Sequence, residues 1–418
     1  MLYFSTYVSR ESGASHALRE LIRNVSACGV RSLVVLPDSL DSRGMFSAEE
    51  IDAVYLPIAR PRRTWKPGVH ARWLLNAPSI FFALRRLVRE RGVDLVHCNE
   101  ITDFLGGLTA RSCGVPVVCH VRADRPANPL RAALLRMLES VSDAIVVPSK
   151  SAERWIRGDS RRLASRTHLI YDCAFDFRAY DPLPLGEAIR REWKIAPGEI
   201  LVLLVSKLVA PKGHACFIRA AEIAGKISER VRFVIVGGPV PGHEAEAEDI
   251  RRLAREIAPA ILFAGPRADL AAVYAACDMA VHCPIYPDTY PTVVHLAMAA
   301  GKPVIGSAIG GIPEQIEHQR TGLLVPAADP AALAAAILHL ARHAELRASL
   351  GLAGWQAIRA RFSPTVQAQQ LTELYAHVLD SRSLKRDLQA APLPAEPVLD
   401  SGVRSEARTN SRVTPFAG

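Results

Sequence analysis

Two lysines on one predicted loop are the first residues of this sequence whose type and spacing suit chemistry. Lys207 and Lys212 lie between an apolar run at 200–205 and a predicted helix from about 214 to 228. A helix begins with unpaired backbone N–H groups and the positive end of its macrodipole, which favour an anion. Two ammonium groups would add full charges, so the loop predicts a phosphate site. The alternative is that both lysines lie in an ordinary solvated loop.

The surrounding pattern predicts how this loop is held. Short apolar runs alternate with helix-period segments, which is typical of parallel sheets with helices on both faces. Candidate strands lie at 2–8, 31–36, 51–56, 93–98, 115–121, 143–147 and 167–171, and then at 200–205, 231–236, 260–264, 278–283, 303–306 and 322–325. Candidate helices lie at 14–28, 70–91, 103–112, 128–140, 150–157, 214–228, 330–345, 350–361 and 364–379.

The fold class predicted is α/β, with two Rossmann-like parallel-sheet domains facing a cleft in which ligands bind beyond the strand ends. At 418 residues the chain is too long for one core. Turn and breaker residues between 172 and 198 suit a passage between domains. We therefore predict an N-terminal domain at 1–175, a linker at 176–198, a C-terminal domain at 199–346, helices packing back toward the N-terminal domain at 347–380, and a disordered tail at 381–418.

Three further segments follow the lysine loop, at 283–306, 310–314 and 321–325. In order, spacing and residue types, these segments and 206–213 together resemble the retaining GT-B glycosyltransferases of family 4. The resemblance covers most of residues 1–380 and is strongest from 200 to 345. It implies an enzyme that moves a sugar from a nucleoside diphosphate donor to a glycan or lipid-linked acceptor with retention of configuration.

The resemblance assigns the donor diphosphate to Lys207 and Lys212, with Ser206 and Gly213 beside them. Ser206 stands where the family usually has glycine, and Lys207 where it usually has arginine. The positive charge is kept, but the bidentate guanidinium is lost.

The family's pair of acids, eight residues apart, corresponds to Asp288 and Leu296. Asp288 is expected to contact the transferred sugar. Leucine cannot accept hydrogen bonds from ribose hydroxyls, so we expect His295 or a backbone carbonyl to do so, or the contact to be missing.

A glycine turn completes the predicted donor side. It is formed by Gly310, Gly311, Ile312, Pro313 and Glu314, and its N–H groups could approach phosphate or sugar hydroxyls. An ordinary strand-to-helix turn is the alternative.

On the acceptor side the resemblance indicates Gly13, after the first strand, and the strand that ends near His120 and Arg122. By register, the family's histidine position is Arg122, whereas His120 lies two residues earlier on the same strand face. His97 is placed similarly. A structural role for these side chains is the alternative.

Composition narrows the partners. The formal charge of +9 points to anionic partners such as nucleotides or acidic lipids. A basic and aromatic stretch at 60–66, followed by Arg72 and Trp73, could lie on an anionic membrane. The eight cysteines lack a C-x-x-C pair and indicate reduced, buried thiols. With neither a secretory leader nor an apolar run of spanning length, we expect a cytoplasmic protein, and peripheral binding to the inner face of the membrane is left open.

Other chemistries lack their motifs. The sequence has no Asp-x-Asp pair, no G-x-G-x-x-G and no P-loop, so we expect no metal and no resident cofactor. The basic residues are scattered and lack aromatic neighbours outside 60–73, so we expect no nucleic-acid partner. Two alternatives to a transferase remain, a nucleotide-sugar or glycan-binding protein that kept the fold without the chemistry and a nucleotide-sugar epimerase.

Overall fold

The computed structural model describes residues 1–9, 12–46, 51–58, 67–122, 131–157, 160–173, 175, 177–180 and 185–390. Within these ranges, side chains are described except at 67–74, 177 and 382–390. Residues 1–379 form one compact unit, and a second unit begins at 380.

The seven strands predicted in the first half pair into one parallel sheet, which we call the N-terminal sheet domain. Its strand order is β3-β2-β1-β4-β5-β6-β7. The strands are β1 (Leu2–Phe4), β2 (Leu33–Pro37), β3 (Asp52–Leu56), β4 (Val96–Cys98), β5 (Val117–His120), β6 (Ala144–Val147) and β7 (Thr167–Leu169).

The six strands predicted in the second half form a second parallel sheet, the C-terminal sheet domain. Its order is β10-β9-β8-β11-β12-β13. The strands are β8 (Ile200–Val205), β9 (Val231–Val236), β10 (Leu262–Gly265), β11 (Met279–His282), β12 (Val304–Ser307) and β13 (Leu323–Val325). The predicted fold class of two Rossmann-like sheets is therefore confirmed.

Helices cover both sheets. Within the described residues they are α1 (Gly13–Ala27), α2 (Leu40–Phe46), α3 (Pro67–Glu90), α4 (Phe104–Ser112), α5 (Arg131–Val141), α6 (Lys150–Arg157), α7 (Arg161–Arg166), α8 (Glu187–Glu192), α9 (His214–Ile227), α10 (Glu244–Ile257), α11 (Leu270–Ala276), α12 (Thr292–Ala299), α13 (Ile312–Gln315), α14 (Pro330–Arg342), α15 (Ala344–Arg361) and α16 (Pro364–Ala390). Short 3₁₀ turns lie at Phe177–Tyr180 and Ala210–Lys212.

The apolar run of β8 shows how the sequence builds these layers. Val202 and Leu204 lie in the core on one face of the sheet, with α9 and α14. Leu201 and Leu203 lie in the core on the other face, with α8, α11 and α12. Because successive side chains point to opposite faces, a strand covered on both sides must be apolar throughout.

The structure differs from the expected organisation in two places. Within the predicted linker at 176–198, α8 buries Ile189 in the C-terminal core, and Trp193 follows it there. The disordered tail predicted at 381–418 is wrong for 381–390, because α16 continues to Ala390 through residues that are mostly good helix formers. Residues 391–418 lie outside the described part, and the other predicted domain boundaries remain predictions.

The C-terminal helices divide between the two sheet domains. α15 places Ile358 in the core beside α12. α16 places Leu371, Leu374 and Tyr375 in the core of the N-terminal sheet domain, beside β1 and β2. The domain assignment for 347–380 stays a prediction; within it, the residues found in the N-terminal core belong to α16.

Two further properties bear on the expectations from composition. All eight cysteines are free thiols, and six of them are buried. None of the helices in the described ranges has the length and apolar character needed to cross a bilayer.

A pair of glycine substitutions tests the close packing of α8. A Cβ on Gly186 would lie 2.3 Å from the backbone nitrogen of Ala276, whereas nothing lies within 4 Å of one on Gly225, in α9. We expect Gly186→Ala to destabilise the fold by about 1–3 kcal/mol through overpacking. Gly225→Ala should stabilise it by about 0.5–1 kcal/mol, since alanine favours a helix interior.

Thermal unfolding of the two variants and the wild type measures both effects. Midpoints that move in the same direction would contradict this account of the α8 contact.

Candidate active site

The loops that follow β8 and β11 meet at the carboxyl edge of the second sheet. β8 lies between β9 and β11, which is where the strand order reverses and where α/β sheets bind ligands. The backbone N–H of Ile285 donates to the carbonyl of Pro211 at 3.0 Å. Gly213 has a φ of +78°, and a Cβ there would lie 1.8 Å from the carbonyl oxygen of Cys283. Glycine is therefore required for this approach, which brings the lysine loop to Asp288.

Asp288 binds two side chains through one oxygen. Lys212 Nζ forms an ion pair with Asp288 Oδ2. The Nε2 atom of His282 lies 3.1 Å from the same oxygen. The Lys212 and Asp288 side chains are 30% and 21% exposed, whereas His282 is 4% exposed. The Lys212–Asp288 pair is therefore partly exposed, and the buried imidazole of His282 contacts the same carboxylate oxygen.

The charges of this group follow from its surroundings. Burial works to raise the pKa of the Asp288 carboxyl, but Lys212 and His282 outweigh it and hold the pKa below the usual range. Burial lowers the pKa of His282, against the opposing influence of Asp288. The imidazole is therefore neutral at pH 7. Because the Asp288 carboxylate can only accept a hydrogen bond, Nε2 of His282 must carry the proton.

His282 was not singled out from the sequence. It is the last residue of β11, at the end of an apolar run that reads as an ordinary buried strand. A histidine closing such a strand beside a strand-order reversal was the available signal.

The glycine turn packs directly onto Asp288. The N–H of Gly311 donates to the backbone oxygen of Asp288 at 2.8 Å. Gly310 has a φ of +62°, and a Cβ there would lie 2.3 Å from that oxygen. A Cβ on Gly311 would lie 1.9 Å from the oxygen of Thr289. Both glycines are thus needed to fix the Asp288 backbone. Pro313 is exposed in α13, and Ile312 is buried in the core.

Glu314 reaches the other sheet domain. Its carboxylate accepts hydrogen bonds from the backbone N–H groups of Lys150 at 2.8 Å and Ser151 at 3.1 Å. Both belong to the first turn of α6. The donor contact predicted for Glu314 stays a prediction, and in this structure its carboxylate is occupied by α6.

The start of the lysine loop leaves one cation available. Lys207 is half-buried and forms no ion pair within the described residues. The hydroxyl of Ser206 donates to the backbone oxygen of Lys207 at 3.2 Å. Lys207 thus precedes the short 3₁₀ turn that leads into α9, and Lys212 is the last residue of that turn.

His295 and Leu296 are both enclosed. His295 is 1% exposed, with its ring stacked on Phe362 at 4.9 Å and meeting the edge of Tyr290 at 4.9 Å. Burial lowers the pKa of His295 to about 3. Leu296 is 6% exposed in the same core. A ring closed in by aromatic side chains has a packing role, so the predicted ribose contact gains no support here.

Gly13 lies where the two sheet domains face each other. It is the first residue of α1, and a Cβ there would lie 3.4 Å from the hydroxyl of Thr292, the first residue of α12. The predicted acceptor-side loop is therefore next to the helix that follows Asp288.

The other two acceptor-side residues belong to a buried polar network. Arg122 is 5% exposed and forms an ion pair with Asp172. It also donates to Asn99 at 3.2 Å, and its Nη2 lies 3.1 Å from Nδ1 of the fully buried His120. Burial raises the pKa of Asp172 despite the opposing effect of Arg122.

α16 completes this network. Gln367 donates to Asp172 at 2.9 Å, and the hydroxyl of Tyr375 lies 2.8 Å from Nδ1 of His97. Burial lowers the pKa of His97 to about 3. These contacts favour a structural role for His97, and site roles for His120 and Arg122 stay predictions.

Within the ranges that the structure describes, no group of three His, Cys, Asp or Glu side chains is arranged to hold a metal ion.

Two family models match the chain, one for each sheet domain. The model described as glycosyl transferases group 1 matches residues 199–343. The model described as a glycosyl transferase 4-like domain matches residues 12–172. Together they span more than half of the chain and include both loops of the candidate site.

Similar proteins carry glycosyltransferase names. A D-inositol 3-phosphate glycosyltransferase of Stackebrandtia nassauensis is 33% identical over 70% of this chain and 70% of its own length. A GDP-mannose-dependent alpha-mannosyltransferase of Mycobacterium tuberculosis is 28% identical over 92% and 97%. Against several other D-inositol 3-phosphate glycosyltransferases, the match spans 43–64% of the relative's length.

A solved structure shares the fold. The Anabaena protein HepE, crystallised in complex with UDP-glucose, superposes with a TM-score of 0.77 at 19% identity, over 90% of this chain and 99% of that one. This likeness supports the predicted arrangement of two Rossmann-like sheets.

The Lys212–Asp288 pair predicts a defined pH dependence of stability. The pKa of Asp288 is lower in the folded state than in the unfolded chain, so its contribution is present above about pH 4 and is lost as the pH falls through the folded-state pKa. Asp288→Asn leaves Lys212 unpaired, and we expect it to destabilise the protein by about 1–3 kcal/mol at pH 7. This deficit should shrink toward pH 2.5.

Thermal unfolding between pH 7 and pH 2.5 measures this difference. Asp249→Asn, which removes a surface carboxylate 62% exposed and paired with Arg252, is the control and should follow the wild type. If the Asp288→Asn deficit stayed constant over the whole range, the assigned ionisation would be wrong.

Proposed function

We propose that this chain, which belongs to the glycosyl transferases of group 1 and has their GT-B fold, transfers a sugar from a nucleoside diphosphate donor to a hydroxyl of a glycan or lipid-linked acceptor. The observation that carries the proposal is the convergence of Lys212, Asp288 and His282 at the strand-order reversal of the second sheet. This arrangement offers a cation for the leaving diphosphate next to a carboxylate for the sugar.

Donor binding would replace the Asp288 carboxylate by the diphosphate as the partner of Lys212. The diphosphate takes Lys212 from Asp288, and Lys207 and the first N–H groups of α9 add to the same positive region. Asp288 keeps its hydrogen bond from His282, which holds it ionised to accept from sugar hydroxyls. Negative charge on the diphosphate grows as the glycosidic bond breaks, so fixed cations lower the barrier most at that stage.

The bond changes are simple. The bond between the anomeric carbon and the oxygen of the β-phosphate breaks, and the acceptor oxygen forms its bond on the same face of the sugar. The proton of the acceptor hydroxyl leaves with the nucleoside diphosphate or passes to solvent. Contact between the start of α1, at Gly13, and the start of α12 would close the cleft, exclude water and limit hydrolysis of the donor.

Metal independence is part of the proposal. Two lysines and a helix N-terminus supply the positive charge that a divalent cation supplies elsewhere. Turnover should persist in excess EDTA, and loss of turnover that Mg²⁺ or Mn²⁺ restores would overturn this part. Retention is tested separately by proton NMR of the first product anomer.

The acceptor and the donor sugar are left open. One relative is named for D-inositol 3-phosphate and the other for GDP-mannose, and Leu296 stands where the acid at the ribose is expected. We therefore propose a nucleoside diphosphate sugar without naming its base or its sugar.

Replacing Lys212 tests the proposed role in leaving-group stabilisation. We expect Lys212→Ala to reduce nucleoside diphosphate release at least about 100-fold, because a fixed charge next to the diphosphate is lost. The measurement supplies a panel of nucleotide sugars and acceptors and follows the released nucleotide.

The matched control is Lys226→Ala, which removes an ammonium 72% exposed and paired with Glu222 on α9. It should turn over like the wild type. Lys212→Ala turnover equal to that of this control would refute the role of Lys212.

A second candidate function is favoured by Leu296. A protein that kept the fold and binds a nucleotide sugar or a glycan without transferring a sugar need not keep both acids of the family, and Leu296 stands where the second is expected. Calorimetry that detects donor binding, together with no nucleotide release over the acceptor panel, would support binding over transfer.

We also propose peripheral contact with an anionic membrane on the cytoplasmic side. The basic stretch at 60–66 lies outside the described residues, as do the side chains of Arg72 and Trp73. Farther along α3, Leu75 and Phe82 are 78% and 64% exposed. Exposed apolar side chains near a basic run suit the headgroup boundary.

Co-sedimentation with vesicles tests this contact. The wild type should pellet with phosphatidylglycerol vesicles and stay in solution with phosphatidylcholine vesicles. Replacing Leu75 and Phe82 by serine should reduce pelleting several-fold, since less apolar area is buried. No preference for the anionic vesicles would remove the membrane from the proposal.

A further inference from the structure

The charged carboxylate of Glu314 connects the two sheet domains by accepting hydrogen bonds. Its Oε2 accepts from the N–H of Lys150 at 2.8 Å and its Oε1 from the N–H of Ser151 at 3.1 Å. The hydroxyl of Tyr171 lies 3.4 Å from Oε2. All three partners belong to the N-terminal sheet domain, whereas Glu314 lies in α13 of the C-terminal one.

The contact completes the start of α6. A helix leaves its first N–H groups without partners inside the helix. The hydroxyl of Ser149 accepts from Ala152 at 3.1 Å and satisfies one of them. Glu314 satisfies the N–H groups of Lys150 and Ser151, so its negative charge lies at the positive end of the α6 dipole.

Neighbouring contacts place this bond at the line where the domains meet. A Cβ on Gly311 would lie 3.2 Å from the Cβ of Ser149. The rings of Tyr171 and Tyr290 stack across the same boundary, with centroids 5.3 Å apart and planes 20° apart. Tyr290 follows Asp288 by two residues, so any separation of the domains here is felt at the candidate site.

We infer that Glu314 is a positioning residue that holds the cleft closed by binding the N-terminus of α6. The inference rests on the proposed function, because closure brings the acceptor side near Gly13 to the donor site at Lys212 and Asp288. When the domains separate, the two N–H groups and the carboxylate pass to water. The contact is close to solvent, so its strength falls with rising ionic strength.

The test compares Glu314→Gln with Glu345→Gln. Glutamine keeps the size of the side chain, removes the charge and turns an N–H₂ group toward the α6 donors. Glu345, like Glu314, lies in the first turn of a helix, here α15, but it is exposed, and it serves as the matched control.

Two measurements on the ligand-free protein report closure directly. Hydrogen exchange of the peptide covering 150 and 151 should be several-fold faster in Glu314→Gln, and small-angle scattering should give a larger radius of gyration. High salt should produce the same changes in the wild type and the control while having little further effect on Glu314→Gln. A residue that contacts only the donor would leave both measurements unchanged.

Kinetics then separate this inference from the proposed function. If the wild type transfers sugar, Glu314→Gln should lower kcat/KM about 10-fold with a thermal midpoint within a few degrees of the wild type. Exchange and scattering equal to those of the control would overturn the positioning role, even in an active enzyme. If Glu314→Gln opens the cleft but the wild type transfers no sugar, the positioning role of Glu314 is supported and the proposed function is wrong.

Discussion

The candidate site depends on one carboxylate oxygen that serves two partners. Asp288 is held where burial alone would favour its neutral form, and Lys212 and His282 keep it charged. Binding of a diphosphate would take Lys212 away, because both anions compete for the same ammonium. His282 remains, buried and neutral, and it can still donate to Asp288. The carboxylate therefore does not have to be left without a partner when the cation moves.

The close approach of these loops also explains why glycine recurs around Asp288. Gly213 and Gly310 have positive φ angles, and Gly311 lies closer to a backbone carbonyl than any side chain would allow. These three residues bring the loops after β8 and β12 within hydrogen-bonding distance of the loop after β11, which carries Asp288. A side chain at any of them would push its loop away from that segment. The precision of the site thus comes from backbone contacts, while the proposed chemistry depends on two charged side chains.

Much of the fold follows from the sequence, because a strand buried on both faces must be apolar and such runs are easy to find. β8 is the clearest example, since its alternate residues enter two different cores. The ends of elements are harder. α8 lies among turn residues that suit a linker, and its burial depends on a close approach to Ala276 that no local pattern reveals. α16 continues into a polar segment made mostly of good helix formers. That segment lacks an apolar pattern, and for this reason the sequence predicted disorder there.

The sequence singled out Lys212 and Asp288 separately, one for the diphosphate and one for the sugar, and these roles stay predictions. The two residues lie 76 positions apart and form an ion pair, because their loops follow neighbouring strands. His282 was missed since a histidine inside an apolar run indicates a core residue more often than a site. The partners of Glu314 and Arg122 come from distant segments, at Lys150 in one case and Asp172 in the other. Long-range pairings of this kind depend on how the sheet domains meet, which motif order does not encode.

The path of α16 has a consequence for synthesis of the chain. Leu371, Leu374 and Tyr375 fill the core beside β1, and Gln367 binds Asp172. These residues emerge from the ribosome after the whole C-terminal sheet domain. The N-terminal sheet domain is translated first, but this part of its core can be completed only after α16 has been made. The C-terminal sheet domain, although made second, can thus complete its core earlier.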